Sequence, residues 1–332
     1  MAIDLVTGAT GLVGGNLVRA LVARGRQVRI LVRPTSQTAH LGDLKGIARI
    51  VGDVTDADSL LPACDGVEHV YHCAALVSMW PRRASEMWQV NVAGTDNLIA
   101  AARHAGIRRL IHCSSVDAIG LPESDAPATE ETPWNWDRLG LDNAYSRTKL
   151  VAQEHVLEAA RGDLDAVIVN PGMVLGAYDA RPSSGELILG VAAGQGIGYP
   201  TGGNNVVDAA DVASGMIAAA ERGARGELYI LGGENLDYRA LLTRVAEVLD
   251  VSPPRIPLPY AVARVAGWAG DLYAAVTGTE PRITTQVARL GYVRHYYSPA
   301  KAVAQLGMSQ TPLRETIERA VTWFRAVGML RL

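Results

Sequence analysis

The stretch NAYSRTKLVAQEHVLEAA sets Tyr145 four residues before Lys149, in a chain whose lysines are Lys45, Lys149 and Lys301 against many arginines. At this spacing both side chains leave one face of a helix. An ammonium beside a phenol favours the phenolate. The spacing therefore predicts that Lys149 draws the Tyr145 pKa down from about 10 toward neutrality and makes the tyrosine a general acid–base. Earlier in the chain, HCSSVDAIG closes an apolar run with Ser114 and Ser115. A serine at a strand end can donate to a carbonyl oxygen and steady the oxyanion that forms there. Taken singly, Ser115 reads as a strand-end turn residue and the Tyr–Lys pair as helix surface; the combination favours a catalytic set.

A second group of residues suits a dinucleotide. TGATGLVGG places Gly8, Gly11 and Gly14, with Thr10, Leu12 and Val13 among them, where a first strand turns into a helix. Glycines there let the backbone approach a pyrophosphate, and the helix N-terminus offers free N–H groups and a positive dipole end. At the end of the second strand, Val32 and then Arg33 stand where NAD-binding folds usually carry an acid for the ribose 2′-OH, and no acid follows before Asp43. An arginine there can pair with a 2′-phosphate. The expected cofactor is NADP(H), with NAD(H) possible; the alternative role for Arg33 is stacking on adenine. In GDVTD, Asp53 either accepts from the adenine amino group, with Val54 alongside, or caps the next helix.

The elements that must hold these residues follow from periodicity. IDLVTG, QVRILVR, ARIVGD, VEHVYHCAA, RRLIHCSS and DAVIVNPG read as strands. Between them lie helical patterns, including a long one over ASEMWQVNVAGTDNLIAAARHAG and another from Tyr145 to Ala160. Such alternation means βαβ units and a parallel sheet covered on both faces. The fold class is α/β, a Rossmann-type doubly wound parallel sheet with a smaller, mostly helical C-terminal region. Residues 1–175 form the dinucleotide-binding domain, with return segments near 204–232, and 176–203 and 233–332 form the substrate-binding region. The second half has one clear strand, ELYIL, and helices near 237–250, 259–277 and 311–326. In the 259–277 helix, Val262, Val265, Ala266, Ala269, Leu272, Tyr273 and Val276 make one apolar stripe, read as core packing or as the wall of an apolar pocket.

Composition bounds the alternatives. The chain has 332 residues, 48% hydrophobic and 20% charged, with a net charge of −3. That argues against a general electrostatic grip on nucleic acid or anionic membrane and leaves a local basic patch open. No apolar run approaches the ~20 residues of a membrane span, and no targeting segment opens the chain. Cys64, Cys73 and Cys113 lack metal-type spacing, so no metal is expected, and they read as reduced thiols of a cytoplasmic protein.

Together, TGATGLVG, GDVTD, HCAA, NVAGTDNLI, CSS, YSRTK and NPGMVLG, in this order, resemble the extended branch of the short-chain dehydrogenase/reductase superfamily, the NAD-dependent epimerase/dehydratase type. LVRPTS, VIVNPG and LYILGGENLDYRALL are similar to dihydroflavonol-4-reductase-like proteins and hopanoid-associated sugar epimerases. The resemblance implies Tyr145 as acid–base, Lys149 on the nicotinamide ribose, Ser115 as the catalytic serine, Ala74 and Ala75 beside the cofactor, and Pro171 and Gly172 lining the nicotinamide. It implies that Asn91 positions a helix and that helices 86–105 and 141–161 form a homodimer bundle. LVSMWPRR, with Met79 and Trp80, and the segment 121–140, with Trp134 and Trp136, are candidate lids. Met79, Trp80, Ser115 and Met173 are the expected substrate contacts. The Trp residues read equally as packing anchors. Two departures point away from a nucleotide sugar. RHYYSPAKAVAQLG stands where such enzymes carry an Arg-Pro-Gly-Asp stretch, and Ser146 and Thr148 replace the usual Gly and Ser. The expected activity is reduction of a ketone or aldehyde of a small apolar or aromatic substrate; the alternative is a nucleotide-sugar epimerase or dehydratase.

Overall fold

The structure, a computed structural model, describes residues 2–194, 198–281 and 283–330. Residues 195–197, 282 and 331–332, which fall in the expected substrate-binding segments, lie outside the described residues.

The strands in chain order are β1 (Ile3–Thr7), β2 (Gln27–Val32), β3 (Ile47–Val51), β4 (Val67–His72), β5 (Arg109–Cys113), β6 (Ala166–Pro171), β7 (Met173–Leu175), β8 (Gly198–Tyr199), β9 (Gly203–Asp208), β10 (Leu228–Leu231), β11 (Glu234–Asp237), β12 (Ile256–Pro257) and β13 (Arg294–His295). The helices are α1 (Leu12–Ala23), α2 (Ala57–Cys64), α3 (Ala84–Met87), α4 (Gly94–Ala105), α5 (Ala144–Arg161), α6 (Glu186–Ala192), α7 (Ala209–Arg222), α8 (Tyr238–Leu249), α9 (Tyr260–Thr277), α10 (Thr285–Leu290), α11 (Ala300–Leu306) and α12 (Leu313–Ala326).

A seven-stranded parallel sheet runs β10-β6-β5-β4-β1-β2-β3. The order reverses at β1, which lies between β2 and β4, and that crevice at the carboxyl ends is where such sheets bind ligands. The burial explains the pattern of the strands. Every residue of β6, AVIVNP, is buried, as a central parallel strand requires, whereas the edge strand β3 leaves Ala48, Arg49 and Val51 exposed. One core lies on the α1–α7 face, with Leu17, Ile30, Met216 and Tyr229; the other lies on the α2–α4–α5 face, with Leu5, Leu98, Val156 and Ile168.

At the amino ends of the strands, one buried acid breaks the apolar rule. Asp4 is held by Arg26 through two bonds of 2.7 Å, and His69 Nδ1 lies 3.0 Å from it. Arg26 also donates to Glu68 at 2.9 Å, and Arg108 donates to Glu68 at 2.9 Å.

Two readings of the second half change. First, ELYIL is β10 at the edge of the main sheet, and a separate small sheet, β11-β9-β13 with β7 on β9, accompanies it. Its strands carry Asn204, Asn205 and Asp208 and so lack an apolar signature. Second, the 259–277 stripe forms, but it does not face a core. Helix α9 packs through its small residues, and the large apolar ones stand in solvent. The long helix over 84–105 also differs: α3 and α4 are joined by a π-helical turn, Trp88–Ala93, that contains Asn91. Such turns often mark functional sites.

Candidate active site

The glycine loop is shaped by contact. Gly8 has φ +69°, and a Cβ there would sit 2.5 Å from the Cys73 carbonyl carbon and 2.6 Å from Ala74 N. A Cβ on Gly14 would sit 2.3 Å from Gly8 O. The loop is thus closed against its own helix on one side and against the exit of β4 on the other. Helix α1 starts at Gly11 with no side chain capping it. The first-turn N–H groups, among them those of Leu12 and Val13, have no intrahelical partner. This bare, positively polarised end suits a diphosphate. Thr7 Oγ1 accepts from Ala74 N at 3.2 Å and lies 2.8 Å from His72 Nδ1, while His72 Nε2 lies 3.0 Å from Thr95 Oγ1. Burial keeps His72 neutral, its pKa pushed down to about 3. It serves as a rivet between β1 and α4.

Arg33 is exposed just past β2, and its guanidinium has no hydrogen-bond or ion-pair partner among the described residues. Asp53 accepts from Thr55 N and Thr55 Oγ1, both at 2.9 Å, so it closes a local turn. The helix α2 begins at Asp56, whose side chain makes no capping bond. Capping of that helix by Asp53, one of its two expected roles, is therefore not what the structure shows. Val54 is buried, and Gly94 gives it room: a Cβ on Gly94 would lie 2.8 Å from Val54 Cγ2.

Helix α5 carries the Tyr–Lys pair, and its first turn is fixed by a reciprocal cap. Ser146 N donates to Asn143 Oδ1 at 2.9 Å, and Asn143 N donates to Ser146 Oγ at 3.1 Å. A cap of this kind contributes about 1 kcal/mol. Thr148 Oγ1 donates to Tyr145 O at 2.9 Å and accepts from Asn91 Nδ2 at 3.0 Å. Asn91 also holds both backbone polar groups of Leu76, at 2.7 and 3.0 Å. The two departures, Ser146 and Thr148, therefore orient the helix that presents Tyr145, and Asn91 ties that helix to the segment after β4.

Lys149 is buried, and its Nζ donates to Cys113 O at 2.7 Å. Burial holds its pKa down. Ser115 begins a short turn, its Oγ accepting from Asp117 N at 3.1 Å, and its hydroxyl lies near enough to the Tyr145 phenol to favour the phenolate. The expected lowering of Tyr145 is absent. Burial pushes the phenol above its ordinary value, the Asp117 carboxylate pushes it further, and Ser115 alone opposes them. The ammonium that was to lower it is directed at the Cys113 carbonyl. These surroundings favour the protonated form of Tyr145.

Three further residues bear on the site. Asn170 Nδ2 donates to Ser115 O and to Gln153 Oε1, both at 2.7 Å, and so fixes the serine's backbone. Its signal was a polar side chain inside the apolar run AVIVNP. Gln153 lies one turn beyond Lys149 on the same face of α5. Asp117 is half-buried between Lys149, Tyr145 and Tyr238, its pKa raised to about 6 by burial against the pull of Lys149. Ser114 Oγ is buried with no partner among the described residues.

Of the remaining expected residues, Ala74 is half-buried and Ala75 exposed after β4, and Pro171 ends β6. Gly172 is required by closeness, since a Cβ would lie 2.7 Å from Asn205 O. Met79, Trp80 and Met173 are half-buried. Trp136 is a packing anchor, fully buried with Nε1 donating to Ile119 O at 2.9 Å. Trp134 donates to Asp117 O at 3.2 Å. A cleft of about 250 Å³ lined by Glu234, Arg244 and Glu247 contains none of the triad. Asp4, Glu68 and His69 converge within 4.8 Å, but Arg26 and Arg108 already pair with the two carboxylates.

The chain matches the NAD dependent epimerase/dehydratase family over residues 5–232. It is 35% identical over 331 residues to a putative dihydroflavonol 4-reductase of Synechocystis sp., covering 98% of this chain and 95% of that protein. It is 36% identical to sterol demethylase protein B of Methylococcus capsulatus, covering 98% of this chain and 99% of that protein. The crystal structure of a nucleoside-diphosphate-sugar epimerase from Pseudomonas aeruginosa is also similar, with TM-score 0.83 and 30% identity over 99% of both chains. With the glycine loop, the serine and the Tyr–Lys helix on one parallel sheet, the chain belongs to the NAD-dependent epimerase/dehydratase family, the extended short-chain dehydrogenases and reductases.

Proposed function

We propose that the protein is an NADP(H)-dependent reductase of a ketone or aldehyde on a small apolar or aromatic substrate. The observation that carries this is the placement of Tyr145 and Lys149 one turn apart on α5, with Lys149 bonded to the end of β5 that leads into Ser115, together with reductase-named relatives aligned over almost the whole chain. Gly8, Thr10, Gly11, Leu12, Val13 and Gly14 would hold the diphosphate, Arg33 the 2′-phosphate, Asp53 and Val54 the adenine side, and Ala74, Ala75, Pro171 and Gly172 the nicotinamide side. When bound, the cofactor supplies a hydride to the carbonyl carbon. Ser115 donates to the carbonyl oxygen, and Tyr145 gives its proton to the alkoxide that results. Lys149 holds a positive charge behind them. Met79, Trp80 and Met173 contact the substrate, and segments 176–203 and 233–332 shape its region. Two copies pair through helices 86–105 and 141–161.

A second reading is favoured by the similarity to the Pseudomonas aeruginosa epimerase: the same set oxidises and re-reduces a nucleotide sugar with no net cofactor turnover. One experiment separates the two. NADPH oxidation is followed against a panel of apolar and aromatic ketones and aldehydes, and UDP- and GDP-sugars are assayed for conversion. Carbonyl-dependent NADPH consumption supports reduction. Conversion of a nucleotide sugar without it replaces the first reading by the second.

A further inference from the structure

Helix α9 is assembled inside out. Ala263, Gly267, Gly270 and Ala274 form its packed face: a Cβ on Gly267 would lie 2.7 Å from Thr285 Cα, and one on Gly270 2.0 Å from Ile283 O. At about 100° per residue, the large apolar side chains lie on the opposite face in an arc of roughly 140°. Val265 and Trp268 are each 63% exposed, and Val276 is 80% exposed, with Leu272 and Tyr273 beside them. Tyr260, at the helix entry, lies on the packed side, its ring centroid 5.1 Å from that of Tyr292. Small residues within and large apolar residues without reverse the usual order of a soluble helix, and a contiguous patch of this kind marks an interaction surface.

The charges at its margin say what covers it. Arg255 and Arg264 are exposed with no hydrogen-bond or ion-pair partner among the described residues. Arg82 donates to Ala275 O at the helix end. The nearby acids are turned away: Asp271 accepts from Thr285 N, and Glu280 accepts from Ser78 Oγ at 2.5 Å and lies 3.8 Å from Arg83. The margin is therefore cationic around an apolar centre. A second copy fits this poorly, because a two-fold contact sets the patch against itself and brings the arginines together. An anionic lipid surface satisfies both parts: acyl chains take Val265, Trp268 and Leu272, and headgroups take the arginines.

We infer that the exposed face of α9 docks the protein on anionic membrane surfaces, lying in the interface without crossing it. No helix among the described residues is long and apolar enough to cross a membrane. The bonds from Arg82 and Ser78 tie the end of α9 to the segment that carries Met79 and Trp80. Docking there sets that segment against the lipid, where an apolar substrate is dissolved. The inference is independent of which carbonyl is reduced.

The test is sedimentation of the full chain with sucrose-loaded vesicles of phosphatidylcholine containing 30% phosphatidylglycerol. The wild type is expected to sediment with them at low salt. The double variant Val265→Asp/Trp268→Asp lowers the partition coefficient at least tenfold, and Arg255→Glu/Arg264→Glu lowers it several-fold on anionic but not on neutral vesicles. Turnover of a water-soluble ketone is measured on the same samples. It stays at the wild-type level in both variants, which shows that they are folded and reports on the reaction separately. Wild-type protein left in the supernatant overturns the inference. So does a lipid-free dimer that Val265→Asp/Trp268→Asp splits into monomers, which makes a second copy the occupant.

Discussion

Strand β2 begins after one arginine and ends before another, and the two ends of the sheet differ as those arginines do. Arg26, at the amino edge, bonds Asp4 and Glu68 and touches His69. Arg33, at the carboxyl edge, has no such partner among the described residues. The contrast extends to their neighbours. At the amino edge, burial alone would push the Asp4 carboxyl up, yet Arg26 and His69 hold it below its ordinary value. At the carboxyl edge, burial prevails: Tyr145 and Asp117 are held up, Lys149 is held down, and the Ser114 hydroxyl is unpaired. Around Asp4, the amino edge satisfies its buried charges internally and is structural. The other leaves them perturbed, as sites that await a ligand do.

The largest effect that would sharpen this contrast is at Tyr145. Tyr145→Phe removes the proton donor and leaves a buried ring, so turnover should fall about 1,000-fold, roughly 4 kcal/mol in the barrier, with little change in melting temperature. Steady-state NADPH oxidation beside thermal denaturation checks this. Retained turnover would make Tyr145 a packing residue.

Asp4→Asn should do the reverse. Breaking a buried ion pair from one side costs several kcal/mol; with Arg26 32% open to water, about 3 kcal/mol is expected. Turnover at low temperature should survive. Because the folded pKa of Asp4 is depressed, its contribution is fully present above the unfolded value near 4 and is lost as pH falls through the folded pKa. Urea denaturation from pH 6 to pH 2.5 should therefore show a steeper acid decline in the wild type than in the variant.

The same contrast explains what the sequence made legible. Periodicity and the glycine loop read out the parallel sheet, because short apolar-rich runs, of which AVIVNP in β6 is the purest, alternate with helical patterns and their signal is local. The grouping of Ser115, Tyr145 and Lys149 near one strand end was legible through residue type and spacing along one helix and one strand end. The Tyr145 pKa was not, since it depends on burial and on Asp117, which a spacing rule cannot see. Asn170 and Gln153 act on Ser115 across the sheet, so no short-range pattern contained them. The α9 stripe shows the limit most plainly: the periodicity of Val262, Val265, Leu272 and Val276 gives a face, and whether that face meets core or solvent is decided by Gly267 and Gly270 packing on the other side.

A smaller effect lies at Asp117. Its folded pKa of about 6 lies above the unfolded value near 4, so the folded state binds the extra proton between them. Wild-type stability should fall as pH rises from about 4 to about 6 and stay level above. Asp117→Asn should abolish that slope and add about 2 kcal/mol at pH 7, after discounting for its partial exposure. The substitution also removes a charge that raises Tyr145. In alcohol oxidation, where the phenolate is the base, the rise of rate with pH should move to lower pH. An unmoved profile would separate Asp117 from the proton-transfer group.

The smallest expected effect returns to the free arginine. Arg33→Ala removes no hydrogen bond or close ion pair among the described residues, only a weak attraction to the exposed Glu86, so stability should change little, unlike any change at Arg26. A guanidinium that pairs with a 2′-phosphate contributes to NADPH and little to NADH. The Michaelis constant for NADPH should rise about tenfold, near 1.4 kcal/mol, and that for NADH less than about twofold. If both rise equally, Arg33 stacks on adenine, which the two cofactors share. If neither rises, the exposed arginine belongs with the solvent-facing charges of the sheet rather than with its binding edge.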